Sequence, residues 1–181
     1  MKVTIFAIEG LVLIEPRVFK DDRGFFYESF NEEKYQEVLG AETRFLQDNI
    51  SSSKKNVLRG LHFQSPPFAQ GKLVTVLSGS VLDVAVDIRK DSPTYGKHQL
   101  IELTAENKMQ FYIPPGFAHG FLSLEENTIF SYKCTNYYSP SSENTLCWND
   151  KTLAINWNVN NPLISEKDNI GMEFSTFASP F

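Results

Sequence analysis

Histidine is the side chain best suited to moving protons near neutral pH, and this sequence holds only three: His62, His98 and His119. An ordinary pKa of about 6.5 leaves part of the imidazole neutral and basic. His62 lies in the stretch Asn56-Val57-Leu58-Arg59-Gly60-Leu61-His62-Phe63-Gln64. Strict strand alternation sets Arg59 and His62 on opposite faces. Gly60 between them is a place for a bulge or twist that turns both toward one cavity. The plainer alternative is an Arg59 that faces solvent. Lys72 shares a strand face with Val74 and Val76, where a lysine is costly unless it meets an anion. Tyr132 and Asp168 also have plain readings. An inward tyrosine on a strand packs a core, and an acid just after Ser165 suits a helix cap or first turn.

His119 closes the run Pro114-Pro115-Gly116-Phe117-Ala118-His119. The prolines and glycine suit a tight turn that aims the histidine back toward the interior. A turn followed by a structural histidine is an equally good reading. The P-x-G-x-x-H spacing resembles the second motif of the cupin superfamily. Metal-binding cupins add H-x-H followed by a glutamate, whereas the matching strand here reads Leu61-His62-Phe63-Gln64. A 2-His-1-carboxylate centre needs its ligands clustered. We therefore expect no metal site.

These residues must be held by strands. Leu82, Val84, Val86 and Ile88 alternate with Asp83, Ala85 and Asp87, the pattern of a half-buried strand. Met109, Phe111 and Ile113 alternate with Gln110 and Tyr112. Phe130, Tyr132 and Cys134 share a face opposite Ser131 and Lys133. Turn signals at Ser78-Gly79-Ser80, Ser92-Pro93, Glu125-Glu126-Asn127 and Ser139-Pro140 separate these runs. Many short strands so punctuated predict a sandwich or jelly roll. One helix is expected where Asn31 caps, Glu32 and Glu33 suit the positive end, Tyr35, Val38 and Leu39 form a stripe, and Gly40 stops. A second short helix is expected after Ser165.

At 181 residues, without linker or repeat, the chain reads as one domain spanning 1–181. A net charge of −5 excludes bulk nucleic-acid binding, which needs a basic surface. Two cysteines, Cys134 and Cys147, are too few for a disulfide scaffold and read as buried apolar residues of a reducing compartment. Glu9, Gly10 and Glu15 interrupt the apolar N-terminus, and no run reaches the ~20 residues of a membrane span. The expected location is the cytoplasm, with no membrane partner.

Several further segments match one family in order. They are Asp22-Arg23-Gly24-Phe25-Phe26-Tyr27-Glu28, the Gln47-to-Gln64 block, Gln70-Gly71-Lys72-Leu73-Val74, the stretch from Val86 to Gly96, Pro115 to Phe121, Tyr132 to Tyr138, and Ser165 to Asp168. Together they resemble the dTDP-4-dehydrorhamnose 3,5-epimerase family over nearly the whole chain. The resemblance implies an all-β, cupin-type jelly-roll barrel with a few short helices. It implies a cofactor-independent isomerase acting beside the ketone of a nucleotide-diphosphate sugar. His62 becomes the base, Asp168 its orienting carboxylate, Lys72 the cation at the 4-keto oxygen, and Tyr132 the acid at C5. Arg23 and Arg59 match pyrophosphate-binding arginines. Glu28, Gln47, Asn49, His119, Glu143 and Lys167 match nucleotide or sugar contacts, and Tyr138, assisted by Phe26, matches a base-stacking position. The family implies a homodimer whose N-terminal segment reaches the neighbouring barrel, so that Arg23 and Glu28 serve the partner's site. A GDP-linked 4-keto sugar such as a heptose, inversion at one carbon, a metal-dependent cupin oxygenase and a non-catalytic sugar-binding jelly roll are the competing readings.

Overall fold

The computed structural model describes residues 1–181. Thirteen strands follow in order: β1 Lys2–Ile5, β2 Val12–Glu15, β3 Phe19–Asp21, β4 Gly24–Phe26, β5 Gln47–Ser53, β6 Leu58–Gln64, β7 Lys72–Ser78, β8 Ser80–Asp87, β9 His98–Thr104, β10 Gln110–Ile113, β11 Phe117–Ser123, β12 Thr128–Cys134 and β13 Glu143–Thr145. Helix α1, Glu32–Leu39, precedes β5, and α2, Glu166–Asn169, follows β13. A six-stranded sheet runs β1-β2-β10-β7-β12-β5 and a five-stranded sheet runs β13-β6-β11-β8-β9. All their strand pairs are antiparallel. This is the all-β jelly-roll architecture: from β5 onward successive strands switch between the two facing sheets, except β8 and β9, which pair directly.

The sheets close on a shared interior of Val74, Val76, Val81, Ala85, Phe111, Phe117, Phe121 and Phe130. Phe121 and Phe130 come from opposite sheets and stack with centroids 4.1 Å apart, plugging one end of the barrel. Outside the six-stranded sheet, Tyr35 of α1 packs on Val12, Ile14, Leu73 and Tyr112, with Phe30, Val38, Leu39 and Phe45 around it. The predicted cap holds: Asn31 Oδ1 accepts the Lys34 N–H at 3.2 Å, and Gly40 ends the helix at φ +103°.

One expectation is overturned. The alternation of β8 predicted one face in water, yet both its faces are buried. Val84, Val86 and Ile88 lie in an outer core with Leu61, Phe63, Leu146, Trp157 and Phe174, and Phe177 and Phe181 pack against it. The C-terminal segment, which carries no motif, is the cover of the five-stranded sheet. Its aromatic residues supply the apolar area that a solvent face lacks. Asp83 and Asp87 accordingly point inward and are wholly buried. Asp87 is satisfied by Arg89, Ser92 and Thr94 at 2.6–2.9 Å. Burial pushes its carboxyl up, but those bonds outweigh it and hold the group at about 2. The cysteines differ from expectation as well. Both are free thiols, but only Cys134 is buried, and Cys147 is part-exposed.

Candidate active site

Gly60 is where the site is made. Facing β11, His62 pairs with His119 and Arg59 with Phe121, so β6 carries one residue more than its partner between those points. The bulge resets the alternation. Leu58, Leu61 and Phe63 join the outer core, while Arg59 and His62 both face the same interior cavity. Glycine is required there, since φ is +114° and a Cβ would stand 2.6 Å from Gly120 Cα and the His119 carbonyl oxygen. The solvent-facing alternative for Arg59 is thereby excluded. Its Nε donates to Ser53 Oγ at 3.1 Å and its Nη2 to the Ser52 carbonyl at 3.2 Å.

His62 is one of two histidines in the barrel with a buried carboxylate. Asp168, in the first turn of α2, accepts from His62 Nε2 at 2.5 Å and from the Gly60 N–H at 3.4 Å. Ser165 caps that turn by accepting the Asp168 N–H at 3.1 Å. Burial raises the Asp168 carboxyl, but the bonds from His62, Gly60 and Ser165 prevail and hold it below the usual carboxylate range. A carboxylate can only accept, so Nε2 carries the imidazole proton and Nδ1 is left as the basic atom. The helix-cap reading of Asp168 describes its backbone; its side chain serves His62.

His119 has the same construction. Its Nε2 lies 3.1 and 2.9 Å from the two oxygens of Asp83. Burial pushes the His119 imidazolium down more than Asp83 raises it, so the ring is held neutral more readily than usual. Asp83 was not foreseen, because it occupies a polar position in a regular alternation and nothing in the spacing separates it from a solvent-facing acid. No three His, Cys, Asp or Glu side chains converge on a point that would hold a metal ion.

The opposite wall is the inner face of the six-stranded sheet, where register aligns three rows. Lys72, Cys134 and Gln47 lie nearest the mouth, then Val74, Tyr132 and Asn49, then Val76, Phe130 and Ser51. Lys72 makes no ion pair or hydrogen bond with a protein group. Burial pushes its ammonium down, and the charges of Cys134, Asp83 and Glu143 oppose that. Burial likewise pushes the Tyr132 phenol up, so it stays protonated through neutral pH.

These walls enclose two lobes that share His62, Lys72, Tyr132 and Glu143. The outer lobe, about 300 Å3, is lined further by Gln47, Asn49, Gln64, Gln70, Cys134 and Tyr138. The inner lobe, about 210 Å3, adds Ser51, Arg59, His119, Phe121 and Phe130. Glu143 accepts from the Tyr138 hydroxyl at 2.7 Å and pairs with Lys167. Three expected residues lie elsewhere. Arg23 and Phe26 belong to the separate β3–β4 hairpin, where Arg23 pairs with Asp21 and its side chain is 90% exposed. Glu28 bonds Asn31 and Lys34 at the start of α1. None of the three touches this cavity.

Residues 6–176 match the family model described as dTDP-4-dehydrorhamnose 3,5-epimerase. This chain belongs to that family. The epimerase is 55% identical over 163 residues to the dTDP-4-dehydrorhamnose 3,5-epimerase of Salmonella typhimurium, covering 90% of this chain and 89% of that one. It superposes with a TM-score of 0.94 at 49% identity on the Legionella pneumophila dTDP-6-deoxy-D-glucose-3,5-epimerase, solved in complex with dTDP-4-keto-L-rhamnose, covering 98% and 94% of the two chains. A 3'-monoepimerase from Streptomyces bikiniensis, in complex with dTDP-quinovose, gives 0.90 at 32% identity over 94% and 87%. The expected cupin-type fold and isomerase class are therefore both met.

Proposed function

We propose that the epimerase inverts C3 and C5 of a dTDP-linked 4-keto-6-deoxyglucose, with His62 as the base at both carbons. A hydrogen beside a ketone is acidic only because the carbanion left behind is an enolate. The site must therefore supply a base, a cation for the enolate oxygen, and an acid on the far side. The observation that carries the reading is the junction of the two lobes. There His62 projects from one sheet, Tyr132 from the other, and Lys72 has no protein partner. His62 Nδ1 takes the proton from carbon, and the electron pair moves into the C–C bond as the carbonyl oxygen gains charge beside Lys72. Charge stabilisation aimed at a developing oxyanion is often the largest catalytic contribution. Tyr132 then returns a proton to C5 from the face opposite His62, which inverts the centre, and Asp168 supports the imidazolium meanwhile.

The sugar occupies the inner lobe and the nucleotide the outer one. Tyr138 stacks on the base, and Gln47, Asn49, Glu143 and Lys167 surround the nucleotide. Arg59 faces the diphosphate, with planar N–H groups suited to that task, and His119 faces the sugar. Arg23, Phe26 and Glu28 act on the neighbouring subunit of a homodimer. That reading is supported by an exposed hairpin whose Phe19, Phe25 and Phe26 are 51–69% accessible, a costly display on a lone chain. We infer a single catalytic domain, 1–181, acting in the cytoplasm, where the free thiols Cys134 and Cys147 persist. No helix is long and apolar enough to cross a membrane.

Incubation in D2O with dTDP-4-keto-6-deoxyglucose, and separately with a GDP-linked 4-keto sugar, tests this. Deuterium is expected at C3 and C5 of the dTDP sugar. Absence of exchange on either substrate with folded protein would overturn the proposal, and label at one carbon alone would make the protein a monoepimerase. Activity should survive exhaustive chelation; loss restored by iron or manganese would reinstate the metal-dependent reading.

A further inference from the structure

Ser51 Oγ is the one buried side-chain polar atom in the chain without a hydrogen-bond partner. Its neighbours along the inward face of β5 are all engaged. Gln47 donates to Asn49 at 3.0 Å, Asn49 reaches Cys134 Sγ at 3.6 Å, and Ser53 accepts from Arg59 at 3.1 Å. A hydroxyl shut away unpaired destabilises the fold, and an alanine there would avoid the penalty. Within the protein, therefore, nothing pairs with the Ser51 hydroxyl. It stands in the wall of the inner lobe beside Phe130, its register partner, and across from Arg59 and His119.

The chemistry of that lobe says what Ser51 lacks. Lys72 and Arg59 only donate hydrogen bonds, and Arg59 already serves Ser53 and Ser52. Glu143 Oε2 is engaged by Tyr138 and Lys167, and its carboxylate belongs equally to the outer lobe. Apart from His62 Nδ1, reserved for the carbon-bound proton, and the Tyr132 hydroxyl, reserved for reprotonation, the neutral acceptors in the lobe are His119 Nδ1, whose ring is bound to Asp83 through Nε2, and Ser51 Oγ. A ketone oxygen has no proton to offer an acceptor, whereas a ring hydroxyl does.

We propose that Ser51 is a specificity-determining residue that hydrogen-bonds a ring hydroxyl of the 4-keto sugar, at C2 or C3, in the inner lobe. The proposal deepens the epimerase reading and rests on it. Because serine both donates and accepts, it favours a hydroxyl over a deoxy carbon at that position.

The test compares wild type and Ser51→Ala on the parent dTDP-4-keto-6-deoxyglucose and on its 2-deoxy and 3-deoxy analogues. Deuterium entry at C5 is the common readout. Ser51→Ala should lower kcat/KM on the parent by roughly 10- to 100-fold, the range for a lost hydrogen bond in a built site. It should cost nothing further on whichever analogue lacks the partner hydroxyl. The melting temperature should hold or rise by about 2–4 °C, since an unpaired group has been removed. Wild-type kcat/KM on the parent, an equal fall on all three sugars, or a lower melting temperature would each overturn the proposal. Wild-type protein inert on every sugar would remove the epimerase reading itself, and this proposal with it.

Discussion

At the residue scale, the interior is organised around two imidazoles with different surroundings. His62 is part-exposed and backed by Asp168, whereas His119 is buried against Asp83. Only the first lines both lobes, at the junction where the proposed base stands. Asp168→Asn keeps the shape of the side chain but removes the charge that supports an imidazolium. We expect kcat to fall by about 10²- to 10⁴-fold with KM little changed, measured by steady-state kinetics. Tyr132→Phe separates two events. Deuterium exchange at C5 should continue, while inversion at C5 falls by roughly 100-fold or more. Equal loss of exchange and inversion would contradict Tyr132 as the acid.

At the element scale, the bulge of β6 matters more than any single side chain in it. Gly60→Ala meets a positive φ and two backbone groups at 2.6 Å, neither of which can swing aside. The strand must shift, and Arg59 and His62 lose their common face. A loss of about 2–4 kcal/mol in denaturant unfolding is expected, and the folded fraction should also lose most of its activity. Asn31→Ala provides the contrast. Removing that cap should cost about 1 kcal/mol, lowering the melting temperature by about 2–4 °C, with any effect on activity confined to KM through the lost bond to Glu28, because α1 covers the sheet face away from the cavity.

At the scale of the whole molecule, buried acids govern behaviour in acid. Asp87 is held at about 2 in the folded chain, below an unfolded value of about 3.9. A depressed carboxyl favours the folded state above the unfolded value, and the benefit is lost as pH falls through the folded one. Asp168 shifts in the same direction. The urea midpoint should therefore drop steeply between about pH 4 and pH 2. Asp87→Asn should be less stable at neutral pH and should show a shallower drop in that window. Assembly has its own test. If the β3–β4 hairpin completes a neighbour's site, Arg23→Ala and His62→Ala proteins should each be nearly inactive, and mixing them should restore activity through hybrid dimers with one intact site. No recovery after subunit exchange, verified by mass, would place Arg23 in its own chain's site.

The sequence by itself determined the jelly-roll class, the helix caps at Asn31 and Ser165, and the inward face of Phe130, Tyr132 and Cys134, and it named the residues proposed to move protons. Each is written locally, as a period of two, a capping side chain or a motif of fixed spacing. It also held the clue to the bulge, since a glycine between Arg59 and His62 has few other reasons to be there. Whether the bulge formed was decided by β11, against which the extra residue is counted. Asp83, Asp87 and Ser51 could not be told from solvent-facing polar residues, because alternation reports which side a residue takes and not what covers that side. The covers are non-local: a facing sheet on the interior, and an aromatic tail some ninety residues downstream of β8 on the exterior. Packing of those distant segments joined His62 to Asp168 across 106 residues, and it also left the Ser51 hydroxyl without a protein partner.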